Sequence, residues 1–277
     1  CLVGSEMCIR DRHISHGEPF LPHRHCYTCL NKKSKGKLNE VKEMVEDQYL
    51  VYMCYGVIQG GKEEDIIYKT AGKAYMDFRR RISFQGKVSA EQRYDITEKV
   101  KNLLVKELPS LLQADTQETF DEKHHEICQD ILCIYDSAGS QAYGIAQRWI
   151  NQTLLYLTVL ERNLHMDYWK IEGSRKYFHV PVEPYVLEAA ASKRKNKFRH
   201  GLTLMAAPLK HDKGEHYRMG WYSPGEVQSP EFWDYPEYME FQKAVRKRLK
   251  DMSPHTYRDC LSWAIYAYME VAQRRNV

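Results

Sequence analysis

No apolar run in the sequence approaches the roughly 18 residues that a membrane-spanning helix needs, so such a helix is excluded. The opening residues lack the basic-then-apolar layout that directs secretion, and a cytoplasmic location is expected. Three glycine motifs are also missing: Gly-x-x-x-x-Gly-Lys-Ser/Thr, Gly-x-Gly-x-x-Gly and Gly-x-Ser-x-Gly. Phosphate-loop enzymes, dinucleotide enzymes and elbow-type hydrolases lose their footing with them. No internal repeat is visible. Charge of one sign is weak as well. A net charge of +4 permits a nucleic-acid partner without arguing for one, because the sum hides where the charge lies.

What is present is ordinary for a globular protein of 277 residues, with 43% hydrophobic and 28% charged residues. Tyrosine is abundant, at 20 residues, so amphipathic rings build much of the core or line a groove. The 8 cysteines could suggest a disulfide framework, but their irregular spacings in a chain of this size argue against one. Cys54, Cys128, Cys133 and Cys260 fall in apolar periodic segments, as reduced buried thiols do.

Residues 1–12 (CLVGSEMCIRDR) look like a translated sequencing-adapter artefact and are not expected to belong to the fold. Residues 13–40 read as a poorly ordered lead-in. From 41 to 277 the pattern predicts a mainly α, multi-helix globular domain. A small strand element near residues 48–58 (QYLVYMCYGVI) and a division into two lobes near 113–119 are both open.

Helical spacing is clear in several places. Thr70 is placed to cap a helix carrying Ala74, Phe78 and Ile82, with Arg79, Arg80 and Arg81 near its end. Ile96, Val100, Leu103, Leu104, Leu108 and Leu111 form a second stripe, which Pro109 is expected to kink or end. Thr119 and Glu122 make a capping-box pattern before Phe120, Ile127, Ile131 and Ile134. The strongest stripe is Ala146, Trp149, Ile150, Thr153, Leu154, Leu157 and Leu160. Residues 163–178 read as irregular. Pro184 suits the first turn of a helix through Val186, Leu187 and Ala190. Residues 208–230 read as a loop. Two more helices are expected, one near Pro236 with Tyr238, Phe241, Val245 and Leu249 inward. The last begins at Ser253-Pro254 with Tyr257, Leu261, Ile265 and Tyr268 inward.

Several groups could carry chemistry. His23, His25, Cys26 and Cys29 are metal-capable, but the matching second half of a zinc site is absent. His124 and His125, beside Glu122 and Glu126, could bind a metal, although a polar helix face has the same look. No cofactor is called for. Basic residues cluster at Arg79–Arg81, at Lys193, Arg194, Lys195, Lys197 and Arg199, and on the penultimate helix. There Lys243, Arg246, Lys247 and Lys250 fall at i, i+3, i+4 and i+7, a cationic stripe able to hold phosphates. A solvated helix face looks the same. The aromatic segment Trp221–Tyr238 between two basic clusters favours nucleic acid, DNA in particular, as partner. No membrane partner is expected.

Two pieces carry a resemblance. Phe120-Asp121-Glu122-Lys123-His124-His125, with Tyr143-Gly144-Ile145-Ala146-Gln147-Arg148-Trp149-Ile150-Asn151, resembles an uncharacterised family of bacterial helical proteins bearing an Ala-Gln-Lys-Trp-like helix. The same helix followed by His179-Val180-Pro181-Val182-Glu183 is similar to the second half of helix–hairpin–helix DNA glycosylases of the 8-oxoguanine type. That resemblance implies a glycine turn at Gly144, the nucleophile's position at Arg148 and the catalytic carboxylate at Glu183. Arginine cannot replace lysine in Schiff-base chemistry, because guanidinium stays protonated. The resemblance therefore implies a DNA-associated protein of glycosylase-like fold whose activity is in doubt. The other reading is a non-enzymatic helical interaction protein of a bacterial defence or mobile-element system, with an unknown protein partner. On that reading Val-Pro-Val-Glu-Pro is only a helix entry, and Arg148 is a surface or paired arginine on a core helix.

Overall fold

Three acidic residues, Glu63, Glu64 and Asp65, open α1 (Glu63–Phe78), where the positive end of the helix dipole favours them. The helix starts well before Thr70, which is buried inside it and does not cap it. Arg79–Arg81 follow as a single 3-10 turn, and Ile82 lies beyond the helix. A computed structural model describes residues 62–82, 84, 87–136, 143–164, 169–191, 198–204, 233–252 and 256–275. The expectations for residues 1–12, 13–40, 48–58 and 208–230 lie outside these.

Ser89 starts α2 (Ala90–Leu112) with a reciprocal capping box: its hydroxyl accepts from the Gln92 N–H at 3.1 Å, and the Gln92 side chain accepts from the Ser89 N–H at 2.9 Å. Pro109 does not end this helix, which runs on to Leu112. Leu108, Leu111 and Leu112 are buried on either side of it, so packing outweighs the missing backbone bond. Thr116 caps α3 (Gln117–Asp136), its hydroxyl accepting the Thr119 N–H at 3.1 Å. The cap therefore sits three residues before the Thr119–Glu122 pattern. Then come α4 (Tyr143–Leu164), a short α5 (Ile171–Ser174) running into a 3-10 turn (Arg175–Tyr177), and α6 (Pro184–Ala191). Residues 171–177 are thus helical where irregular chain was expected. The last two helices are α7 (Tyr235–Asp251), capped by Asp234, and α8 (Cys260–Arg275).

These eight α-helices and two 3-10 turns make a mainly helical fold with no strand among the described residues. α1 packs on α2 and α4, α3 joins α2 to α4, and α6 pairs with α8. Trp149 of α4 is the centre of the first group. Its ring stacks on Tyr75 at 5.1 Å and meets Phe78 edge-on at 5.4 Å, while its N–H donates to the Tyr135 hydroxyl at 3.1 Å. All seven residues of the stripe predicted along α4 are buried.

The phase of α8 differs from the expected one. Leu261, Trp263, Ala264, Ala267 and Val271 point inward, whereas Ile265 and Tyr268 are 38% and 40% exposed. Trp263 sets this phase: its ring is wholly buried and its N–H donates to the His200 carbonyl at 2.8 Å. Among the predicted buried thiols Cys128 is buried and Cys260 partly so, but Cys133 lies on the outer face of α3.

Candidate functional site

The inward phase of α4 and the entry into α6 bring two distant residues together. Arg148 and Glu183 line one open cleft of about 490 Å³. Asp77 and Phe78 from α1, Tyr156 from α4, and Tyr268 from α8 also line it. A cavity of this size is in the ordinary range for a small-molecule site. The outward phase of α8 that the sequence misjudged is what supplies one wall.

The polar groups of the cleft are organised around Tyr156. Its hydroxyl donates to Asp77, and Asp77 also pairs with Lys73 at 2.7 Å. Burial pushes the Tyr156 hydroxyl pKa up, and the nearby Asp77 and then Glu183 carboxylates push it further. Two negative groups thus act on one phenol. Arg148 is nearly buried, and its Nη2 donates to the Val182 carbonyl at 3.3 Å, one residue before Glu183. The guanidinium is therefore a buried anchor on a core helix, where it holds the chain that carries Glu183.

That chain, residues 178–183, has no regular secondary structure, and no strand lies beside it among the described residues to satisfy its backbone. Side chains do the work of a ladder. The Gln242 amide of α7 takes both polar groups of Val180, accepting from its N–H at 2.8 Å and donating to its carbonyl at 2.9 Å. Arg148 takes the Val182 carbonyl, while Val180 and Val182 side chains are buried. Pro181 needs no donor satisfied. The segment is a strap fastened by side chains.

His179 begins the strap and belongs to a buried polar chain. Asp121 Oδ1 lies 2.7 Å from His179 Nε2, and Arg246 donates to both Asp121 oxygens at 3.0 and 2.9 Å. His179 Nδ1 lies 2.8 Å from the Tyr238 hydroxyl, which accepts from Asn151 Nδ2 at 2.8 Å. Asn151 Oδ1 lies 3.0 Å from His124 Nε2, and His124 Nδ1 meets the Cys128 sulfur at 3.7 Å. One assignment satisfies every link with both rings neutral. Cys128 donates to His124, His124 to Asn151, Asn151 to Tyr238, Tyr238 to His179, and His179 to the Asp121 carboxylate.

The electrostatics agree with that assignment. Burial holds the His124 pKa well below the usual histidine range, and the neighbouring His179 adds to this. Burial also lowers His179, outweighing the Asp121 carboxylate that would raise it. Burial works against the Asp121 charge, yet hydrogen bonds from His179 and Arg246 keep its carboxyl well below the usual carboxylate range. Burial drives the Cys128 thiol pKa up, so this cysteine is no nucleophile.

His124 is buried rather than part of a polar face, and His125 is half-buried, stacked on Tyr235. Among the described residues no group of three or more His, Cys, Asp or Glu is placed to hold a metal ion. His23, His25, Cys26 and Cys29 lie outside them.

The basic residues are spread differently from the cleft. Lys243, Arg246, Lys247 and Lys250 lie on α7, and none lines the cleft. Lys243, Lys247 and Lys250 are exposed, but Arg246 is tied to Asp121. Arg79 and Arg80 are exposed, and Arg199 is exposed with its backbone N–H on Glu270. Lys193, Arg194, Lys195 and Lys197 lie outside the described residues.

Sequence reasoning found Glu183 and Arg148 but passed over Asp121, His179, Tyr238 and Gln242. A usable trace existed, because His179 stands at an apolar-flanked position just before Val-Pro-Val. Its partners are 58 and 59 residues away in the chain, and no local pattern links them. Compared with known family models, curated proteins and solved structures, the chain matches none.

Proposed function

We propose that this chain is a nucleic-acid-associated protein, DNA being the first candidate, that takes one unstacked base into the cleft. The observation that carries this reading is the shared cleft of Arg148 and Glu183, with rings of Phe78, Tyr156 and Tyr268 on its walls. Flat rings stack with bases of any identity, and a carboxylate opposite them can accept hydrogen bonds from a base edge or offset positive charge developing on a sugar. The exposed cations of α7 would hold phosphates. Arg148 does no covalent chemistry here, since a guanidinium stays protonated and its Nη2 is engaged with the Val182 carbonyl. A Schiff-base lyase step is therefore no part of the proposal. What base excision would require of this site is electrostatic, and it would fall to Glu183.

The test is duplex DNA carrying 2-aminopurine, titrated with the full chain at low salt. Binding with a rise in base fluorescence is expected, and Glu183→Gln should alter the rise but not the salt dependence. No binding at low salt ends the proposal.

A second reading, a helical interaction protein, is favoured by one feature. Tyr266, Tyr268 and Met269, close together in the sequence of α8, are all at least 40% exposed, and a partner could cover them. Self-association or partner capture through Tyr266 and Met269 with no DNA response would select it.

A further inference from the structure

We infer that His179, with Asp121, Tyr238 and Gln242, positions Glu183 in the cleft, and that this seat is released by acid before the helices unfold. The inference rests on the cleft being the working site, but not on what binds there.

The geometry is a run of contacts from α3 to the cleft. Asp121 and Tyr238 grip the His179 ring from opposite sides at 2.7 and 2.8 Å. The next residue is held at both backbone groups by Gln242, and the third after His179 by Arg148. Glu183 is the fourth. Its own carbonyl accepts the Leu187 N–H at 2.9 Å as α6 begins. Between His179 and Pro184 no secondary structure holds the chain, so side-chain contacts before Glu183 and the first turn of α6 after it fix where the carboxylate stands.

The grip on the ring needs His179 to be neutral. The carboxylate of Asp121 only accepts, so the neutral ring carries its hydrogen on Nε2 and its Nδ1 accepts the Tyr238 O–H. A proton on Nδ1 turns the acceptor into a donor and leaves a buried hydroxyl hydrogen without a partner, at a cost of about 1–3 kcal/mol. A proton on His124 instead puts a cation 4.3 Å, ring to ring, from His179. Either event opens the chain of bonds at the start of the strap. The titratable and charged groups facing the two rings are Asp121, His125 and Cys128 from α3, and Tyr238 and Arg246 from α7; Tyr143 of α4 lies against Tyr238. Of these only Asp121 favours protonation of the pair, and Arg246 already neutralises it.

The test uses the full chain without nucleic acid. Amide spectra are followed from pH 7.5 to 5, with far-UV circular dichroism in parallel. The Val182 and Glu183 resonances should move at a pH lower than the ordinary histidine value of about 6.5, because burial resists the proton, while the helical signal holds. Gln242→Leu, which titrates nothing, should displace the Glu183 resonance at every pH and leave the midpoint unchanged. Asp121→Asn removes the one group that draws a proton to the pair, so the midpoint should fall. Movement of the strap only together with loss of helix in the wild type overturns the inference. An unmoved Glu183 resonance in Gln242→Leu overturns it too. A DNA-binding failure would leave these outcomes untouched, so the two readings fail separately.

Discussion

The rings of His124 and His179 lie 4.3 Å apart, both buried, and each is held neutral by its surroundings. Burial makes both harder to protonate in the folded chain than in the unfolded one, which binds protons near pH 6.5. Below that value the unfolded state holds more protons, so stability falls as the pH drops. The expected slope is about 1.4 kcal/mol per pH unit for each histidine. Asp121, depressed in the fold, adds to the loss once the pH passes below its ordinary value of 3.8. Urea midpoints measured from pH 8 to pH 4 check this. A flat profile between pH 7 and pH 5 contradicts the neutral assignment, and His124→Gln should reduce the slope.

Asp121 and Arg246 form a bidentate pair whose side chains are 16% and 20% exposed. Asp121→Asn leaves a partly buried guanidinium with its neutral partner alone, and should cost about 2–3 kcal/mol. That is below the cost of breaking a fully buried pair, because both ends reach solvent. A double-mutant cycle with Arg246→Met should return about 1–3 kcal/mol of coupling. Additive losses would show that the two residues act independently.

Thr203 has φ of 53°, in the left-handed region, where a β-branched side chain is strained. Its neighbours force the conformation. The Leu202 and Leu204 N–H groups donate to the Ala189 and Ala190 carbonyls at the end of α6, at 3.3 and 2.7 Å. Thr203→Asn keeps those bonds and suits the backbone better, so it should stabilise by about 0.5–1 kcal/mol. A thermal scan decides it: a lower melting temperature shows that the side chain makes contacts outweighing the strain.

The start of α3 separates two registers. Thr116→Ala should cost about 1 kcal/mol, the usual value for losing a capping hydroxyl. Glu122→Ala, in the pattern read from sequence, should change stability by less than about 0.5 kcal/mol, as a surface substitution does. Equal losses at the two positions in chemical denaturation would reverse the assignment.

The cleft was half legible in the sequence. Pro184 and the α4 stripe are local features, and they located Glu183 and Arg148 on their elements. The role of Arg148 was not legible, because its partner is a backbone carbonyl 34 residues on. Gln242 was invisible for the same reason, its partner being the backbone of Val180. The error over α8 has a different cause. Its residues are apolar on more than one face, so periodicity leaves the phase open until Trp263 finds its bed.

By itself the sequence determined that the described residues are mainly helical, where the long central helix runs, and where proline admits α6, because each depends on neighbours within one or two turns. The tertiary structure decided which face of α8 turned out, which polar groups met around His179, and which distant residues came to share the cleft. Such pairings arise from packing and from the need to satisfy buried donors and acceptors, and neither is written in local spacing.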